Sequence, residues 1–192
     1  RVILSKHTAI GDTMFEDCSA LSELEFTDTG KFDFTGVVVP FAGCRLTTFV
    51  FPEGAETYYR DENGIFYTDE TRTTLVFAPQ TLTTFTAPES LRTILPGAFA
   101  GSRALTRIDL TGVETIGAYA FADCTASGFS YVKIPASVTS MGQGVFYSCS
   151  YLAEANVQAR IETLPAATFA LTALSKVTLS DTVTALGDAA FY

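Results

Sequence analysis

At 192 residues the chain is long enough to bury a core and short enough to form a single domain. Hydrophobic residues reach 47% and charged residues only 17%, which excludes an intrinsically disordered chain. A net charge of −9 argues against a nucleic-acid backbone or an anionic membrane surface as partner, and one histidine leaves no room for a multi-His metal site.

The opening stretch Arg1-Val2-Ile3-Leu4-Ser5-Lys6-His7 is too short an apolar run for a signal peptide or a membrane span. The chain starts on Arg rather than Met, so it reads as a processed product or a fragment, with any export signal or anchor outside it. Ile10, Gly11 and Phe15 open a pattern that recurs downstream, with His7 in an aliphatic slot three residues before Ile10. Leu24 and Phe26 then alternate with Glu23 and Glu25, the mark of a short strand with one inward face. A degenerate copy around Val37-Val38-Val39-Pro40-Phe41 follows. Next come Phe49 and Phe51, alternating with Thr48 and Val50 and stopped by Pro52.

Residues 57–79 break the pattern. Thr57-Tyr58-Tyr59-Arg60 and Ile65-Phe66-Tyr67-Thr68 flank Asn63-Gly64, a strong hairpin signal because a type I′ turn needs positive φ at both central residues. A second turn at Asp69-Glu70-Thr71-Arg72 leads into Thr74-Leu75-Val76-Phe77-Ala78-Pro79. Asp61, Asn63 and Asp69 offer oxygens to a cation. Their spacing is not that of an EF-hand, and turn chemistry explains them better.

From residue 85 onward the pattern is regular. Phe99, Phe121, Phe146, Phe169 and Phe191 are spaced by 22, 25, 23 and 22 residues. Five residues before each stands Ile94, Ile116, Met141, Leu164 or Leu186, and three before that Leu91, Val113, Val138, Ile161 or Val183. Gly117, Gly142, Gly187 and Pro165 follow the second aliphatic. After Ile94 the turn comes one step later, at Pro96-Gly97. Leu105, Leu152 and Leu174 begin strand segments whose inward residues are Ile108 and Leu110, Val132 and Ile134, Ala155 and Val157, and Val177 and Leu179. Gly128-Phe129 departs from the pattern, lacking the leucine expected there.

A unit of about 23 residues cannot bury its apolar face alone, so the units must stack into a solenoid. Each unit reads as a strand, a turn, a second extended segment, a glycine turn and a brief helical or 3₁₀ turn carrying the Phe. The phenylalanines of successive coils then form a spine. The segments Val113–Cys124 and Val138–Leu152, with an Ile-Gly-x-x-x-Phe-x-x-Cys core, and the strand ending in Ile134-Pro135 resemble the BspA-like leucine-rich repeat. The Asn-Gly-x-Phe-Tyr element and the following Leu-Val-x-x-Pro strand resemble a hairpin inserted in the same family. The resemblance implies one leucine-rich repeat domain over 1–192, with N-terminal repeats at 1–56, the hairpin insertion at 57–84 and regular repeats at 85–192. It also implies a cell-surface or secreted location and an adhesin-type role.

Cys18, Cys44, Cys124 and Cys149 each lie three residues after a framework Phe, where Ser102 and Thr172 stand in other copies. Neighbouring coils could bring Cys124 near Cys149, or Cys18 near Cys44. Ladder positions rarely provide disulfide torsions, so free buried thiols are the favoured reading. No H-E-x-x-H, G-x-S-x-G, P-loop or complete G-x-G-x-x-G occurs, and Gly142-Gln143-Gly144 lacks its third glycine. Neither catalytic nor cofactor-binding nor metal-ligating residues are expected, and Glu23 with Glu25 reads as solvated strand charge. The concave face of a leucine-rich solenoid would present Glu23, Glu25, Thr48, Val50, Arg107, Asp109, Tyr131, Lys133, Glu154, Asn156, Lys176 and Thr178. Tyr131 with Arg107 and Lys133 is the expected anchor cluster. An extracellular protein partner, a host matrix or serum protein among the options, is expected, with no nucleic acid and no membrane insertion. A spacer that displays another domain is the alternative, and the lack of Trp weighs against carbohydrate binding. The chain stops partway through a unit at Phe191-Tyr192, so further repeats, a cap or end-to-end packing of a monomeric solenoid are expected to cover that end.

Overall fold

A computed structural model describes residues 1–5, 14–15, 18–28, 44, 46, 48–53 and 59–192. His7, Ile10, Gly11, Val37–Phe41 and Thr57–Tyr58 lie outside the described residues. Strands β1 (Val2–Leu4), β2 (Glu23–Phe26) and β3 (Thr48–Val50) pair in parallel, with Leu24 opposite Val2 and Phe49. Strands β4 (Tyr59–Arg60), β5 (Phe66–Tyr67) and β6 (Thr74–Phe77) then run antiparallel.

The remaining strands alternate between two sides of a β-solenoid. On one side lie β7 (Thr84–Thr86), β9 (Arg107–Asp109), β11 (Tyr131–Ile134), β13 (Glu154–Val157) and β15 (Lys176–Leu179). On the other lie β8 (Thr93–Ile94), β10 (Thr115–Ile116), β12 (Ser140–Met141), β14 (Thr163–Leu164) and β16 (Ala185–Leu186). Pairing within each side is parallel: Val132, Ala155 and Val177 share one register, and Ile94, Ile116 and Met141 another. Thus the solenoid read from the repeat is the observed fold.

The Phe-bearing segment differs in one respect from the sequence expectation. No α- or 3₁₀-helix occurs among the described residues, and the segment is a run of turns that bonds sideways to the next coil. Phe99, Phe121, Phe146 and Phe169 donate their backbone N–H to Ala120, Val145, Thr168 and Ala190 at 2.8–2.9 Å. The residues two before and two after each Phe donate likewise: Tyr119 to Gln143 and Asp123 to Tyr147, Ala167 to Asp188 and Leu171 to Tyr192. Those flanking residues all have positive φ, as in Tyr119 (+54°), Asp123 (+55°), Ala167 (+53°) and Leu171 (+56°). Alternating left-handed residues aim every second N–H along the solenoid axis. A helix would have turned those donors back into the coil.

Stacked rings fill the interior of this third ladder. Phe99, Phe121, Phe146, Phe169 and Phe191 lie 4.7, 5.4, 5.6 and 5.8 Å apart in succession, with ring planes within 15° of parallel. Phe85 extends the contact beyond Phe99 with a tilted ring at 4.9 Å.

The hairpin closes this core on one side and opens a second. Tyr67 and Leu75, paired across β5 and β6, pack into the core of the regular coils, while Phe66 and Phe77, also paired, pack with Leu4, Leu24, Phe26 and Leu46. Its tip is not the two-residue type I′ turn that Asn63-Gly64 implied. Gly64 alone has positive φ (+79°), Gly64 N–H bonds to Asp61 C=O, and Asp61 N–H bonds to Ile65 C=O. The Asp61 carboxylate accepts from the N–H of Asn63 and of Ile65 at 2.9 Å, so a longer turn wraps around that side chain.

Gly142 shows how tightly the coils approach: a Cβ there would lie 2.3 Å from Ala118 N and 2.5 Å from its Cα. Gly142→Ala is expected to destabilise the protein by about 3 kcal/mol, at the upper end for overpacking, seen as a lower denaturant midpoint. Ala167→Gly, which removes a Cβ from a left-handed residue at the entropic cost of glycine, should change stability by less than about 1 kcal/mol.

Candidate binding surface

The alternation of each strand on the β7–β15 side decides what faces outward. In β11, Val132 and Ile134 are buried while Tyr131 and Lys133 are exposed. Register carries the rows across coils: Tyr131, Glu154 and Lys176 align, as do Lys133, Asn156 and Thr178. Glu154 and Asn156 are half-buried, Lys176 and Thr178 exposed. Arg107 and Asp109 point outward and are exposed on β9. Near the N-terminus Glu23 aligns with Thr48 and Glu25 with Val50. There Val50 is exposed and the other three are half-buried.

Sequence reading missed Thr84 and Thr86. Both are exposed around buried Phe85 and stand in register with Arg107 and Asp109, so β7 belongs to this face rather than to the hairpin. The Thr-Phe-Thr alternation 23 residues before Arg107-Ile108-Asp109 was the available signal. Ile3, exposed and opposite Glu25, was missed as well.

Charge on this face is largely answered locally. Arg1 pairs with Glu23 at 3.2 Å and with Glu25, and Lys176 Nζ lies 2.6 Å from Glu154 Oε1. That hydrogen bond, with the carboxylate's charge, raises the Lys176 pKa. Asp109 is held instead by its own turn, its Oδ1 accepting from Thr111 N–H at 3.0 Å and from Thr111 Oγ1 at 2.7 Å. The Thr111 hydroxyl and N–H bonds depress its pKa against some burial, with the charges of Arg107 and Lys133 adding to the effect.

The face is divided between β9 and β11. These strands lie side by side yet belong to different sheets, with no ladder register joining them. From Arg107 to Tyr131 the chain takes 24 residues, against 23 from Thr84 to Arg107, and it turns at Gly128, where a Cβ would meet Thr106 Cγ2 at 2.9 Å. A groove of about 510 Å³ runs along this seam, lined by Arg107, Asp109, Tyr131 and Lys133 together with Thr111 and Ser130.

The cysteine slot has a structural task that spacing alone did not reveal. The thiols of Cys44, Cys124 and Cys149 donate to the backbone carbonyls of Phe15, Phe99 and Phe121 at 2.9, 3.5 and 3.1 Å, each reaching the framework Phe of an earlier coil. All four cysteines are free, and burial pushes the Cys124 thiol well above its ordinary pKa, with Cys149 reinforcing the shift. Cys18 corrects the expectation of buried thiols: it is exposed.

Among the described residues no group of three His, Cys, Asp or Glu side chains is placed to hold a metal ion, and no helix is long and apolar enough to cross a membrane. Asp61 and Asp69 spend their carboxylates on turns, Asp69 accepting from Thr71 N–H at 2.9 Å.

Six copies of the model for the BspA type leucine-rich repeat region match residues 2–68 and 70–192. The chain belongs to this family. Comparison with curated proteins finds no match. Among solved structures, a leucine-rich repeat protein from Eubacterium ventriosum matches with a TM-score of 0.64 at 20% identity, over 92% of this chain and 57% of that one. A leucine-rich cell surface protein from Faecalibacterium prausnitzii matches with 0.57 at 18% identity, over 93% and 59%. A leucine-rich repeat protein from Bacteroides ovatus matches with 0.50 at 19% identity, over 100% and 64%. This BspA-type chain thus spans less than two thirds of the length of each.

Two measurements check this geometry. A thiol reagent should modify Cys18 alone in the native protein and all four cysteines after denaturation. Reaction of Cys124 or Cys149 at the native rate of Cys18 would contradict their burial. Thr111→Val should raise the Asp109 pKa toward the ordinary carboxyl value, read by NMR titration. Because the folded pKa is depressed, the stabilisation it represents is present above about pH 4 and fades as pH falls through the folded value.

Proposed function

We propose that this chain is a cell-surface or secreted protein-binding module that recognises a host or neighbouring protein through the outward face of β2, β3 and the β7–β15 strands. The observation that carries the reading is the contrast between the two faces of one strand set. Inward slots keep to aliphatic or aromatic residues from coil to coil: Phe85, Ile108, Val132, Ala155 and Val177. Outward slots in the same rows run through Thr84, Arg107, Tyr131, Glu154 and Lys176. A surface that changes chemistry at every step while its support stays constant suits selective recognition, and its mixture of Tyr, Arg and charge is what protein interfaces use. Family membership supports a non-catalytic repeat scaffold, and the cell-surface description of the Faecalibacterium prausnitzii structure supports the location. The Arg1–Glu23 and Lys176–Glu154 pairs also fit a passive spacer, whose surface needs only to be solvated.

Titration of the chain against immobilised extracellular-matrix and serum proteins separates these readings. For a partner found this way, Tyr131→Ala is expected to weaken binding by about 2 kcal/mol, as for an interface hot spot, while Glu62→Ala at the hairpin tip leaves it unchanged. A partner whose affinity ignores every substitution on the outward face would support the spacer instead.

A further inference from the structure

Among the described residues, cations on the outward face are neutralised from within the chain, with two exceptions. Arg1 is held by Glu23 and Glu25, and Lys176 by Glu154. Arg107 and Lys133 make neither an ion pair nor a side-chain hydrogen bond among the described residues. They stand on β9 and β11, on opposite sides of the seam, and line the same groove of about 510 Å³. Asp109, which lines the same groove, is tied down by two hydrogen bonds from Thr111 and forms no salt bridge with either cation. Tyr131, 48% exposed, supplies an aromatic surface in the same groove. The seam is thus a local excess of positive charge on a protein whose net charge is −9.

Resting on the reading of this face as a protein-binding surface, we propose that the β9–β11 seam receives an acidic, extended protein segment. Its carboxylates engage Arg107 and Lys133, and its apolar part packs on Tyr131. A guanidinium presents a fork of donors that matches a carboxylate in two parallel hydrogen bonds, whereas an ammonium acts as a point charge. Arg107 therefore fixes the orientation of the segment, and Lys133 adds attraction without geometric demand. An open groove rather than an enclosed cavity suits a chain passing through over a compact small molecule. The rest of the chain's negative charge repels acidic segments from other surfaces, so the same field that weakens non-specific contact sharpens selection at the seam.

Panning a displayed library of random dodecapeptides against the full chain tests the assignment. Recovered peptides should be enriched in Asp and Glu with an interspersed aromatic. Resynthesised, they should bind Arg107→Ala and Lys133→Ala at least about tenfold more weakly. Raising the salt from 50 to 300 mM should weaken binding several-fold. Arg92→Ala, which removes a cation paired with Glu114 beside β8 and β10, away from this face, should leave affinity unchanged, and Asp109→Asn should tighten it. Thermal melts of each variant confirm that a loss is local. A selection that yields no acidic sequences overturns the proposal. So does equal binding to wild type and to the Arg107 and Lys133 variants, and so does equal capture of heparin, which would make the seam a general polyanion site. Peptides weakened by Tyr131→Ala but indifferent to both cations and to salt would sink the charge assignment while leaving the face as an interface.

Discussion

Two stacking distances have to agree for this chain to fold. Parallel strands joined by hydrogen bonds lie about 4.8 Å apart, and offset-stacked aromatic rings pack at about 4.5–7 Å between centroids. The Phe spine, with centroid spacings from 4.7 to 5.8 Å, meets both conditions in one coil rise. A larger aromatic would hold the ladders apart, and an aliphatic side chain would leave the slot underfilled. That is a physical reason for Phe at each of the spine positions 99, 121, 146, 169 and 191. The same approach distance forces glycine at 117 and 142, where a Cβ would collide with the backbone of the preceding coil. It also lets the thiols of Cys124 and Cys149 reach the carbonyls of the preceding spine residues.

Left-handed backbone on both sides of each Phe carries a cost of about 1–2 kcal/mol for a residue with a side chain. Against this each coil gains three inter-coil hydrogen bonds and a buried aromatic stack, as around Phe121, where Tyr119, Phe121 and Asp123 all donate to the next coil. Strain in one coil is therefore tolerated only because another coil lies beside it. Here lies the physical content of the repeat: neither the ladder nor the spine exists within a single unit. The hairpin is consistent with this. It interrupts the repeat by presenting Tyr67 and Leu75 to one core and Phe66 and Phe77 to another, so both sides of the interruption remain covered.

The recurrent features were legible because one residue type answers one slot. Phe at 99, 121, 146, 169 and 191, the aliphatics five and eight residues earlier, and the alternation of Val132 and Ile134 all state their environment directly. The left-handed positions were not legible. Gly97, Tyr119, Gly144 and Ala167 share the conformation but no side-chain property, because the neighbouring coil accepts a hydrogen bond from each of their N–H groups. The hairpin tip was half legible: Asn63-Gly64 located the turn, but the Asp61 carboxylate decided its type. On the outward face, alternation placed Arg107, Tyr131 and Lys133 correctly on strand surfaces. Thr84 and Thr86 were missed because the boundary between the hairpin (57–84) and the regular repeats (85–192) cut through their strand.

Irregularity has a chemical consequence in a repeat protein. Where coils keep register, as from β11 to β15, an outward cation has a neighbour directly beside it, and a carboxylate such as Glu154 neutralises Lys176 across the ladder. Between β9 and β11, which belong to different sheets, that register is absent. Arg107 and Lys133 line the same gap, with only the uncharged Thr84 and Asn156 as their ladder neighbours. A solenoid of identical coils would stack like charge on like along each row, so an outward cation is neutralised only where the sequence varies to place a carboxylate in register beside it, and at the seam it does not.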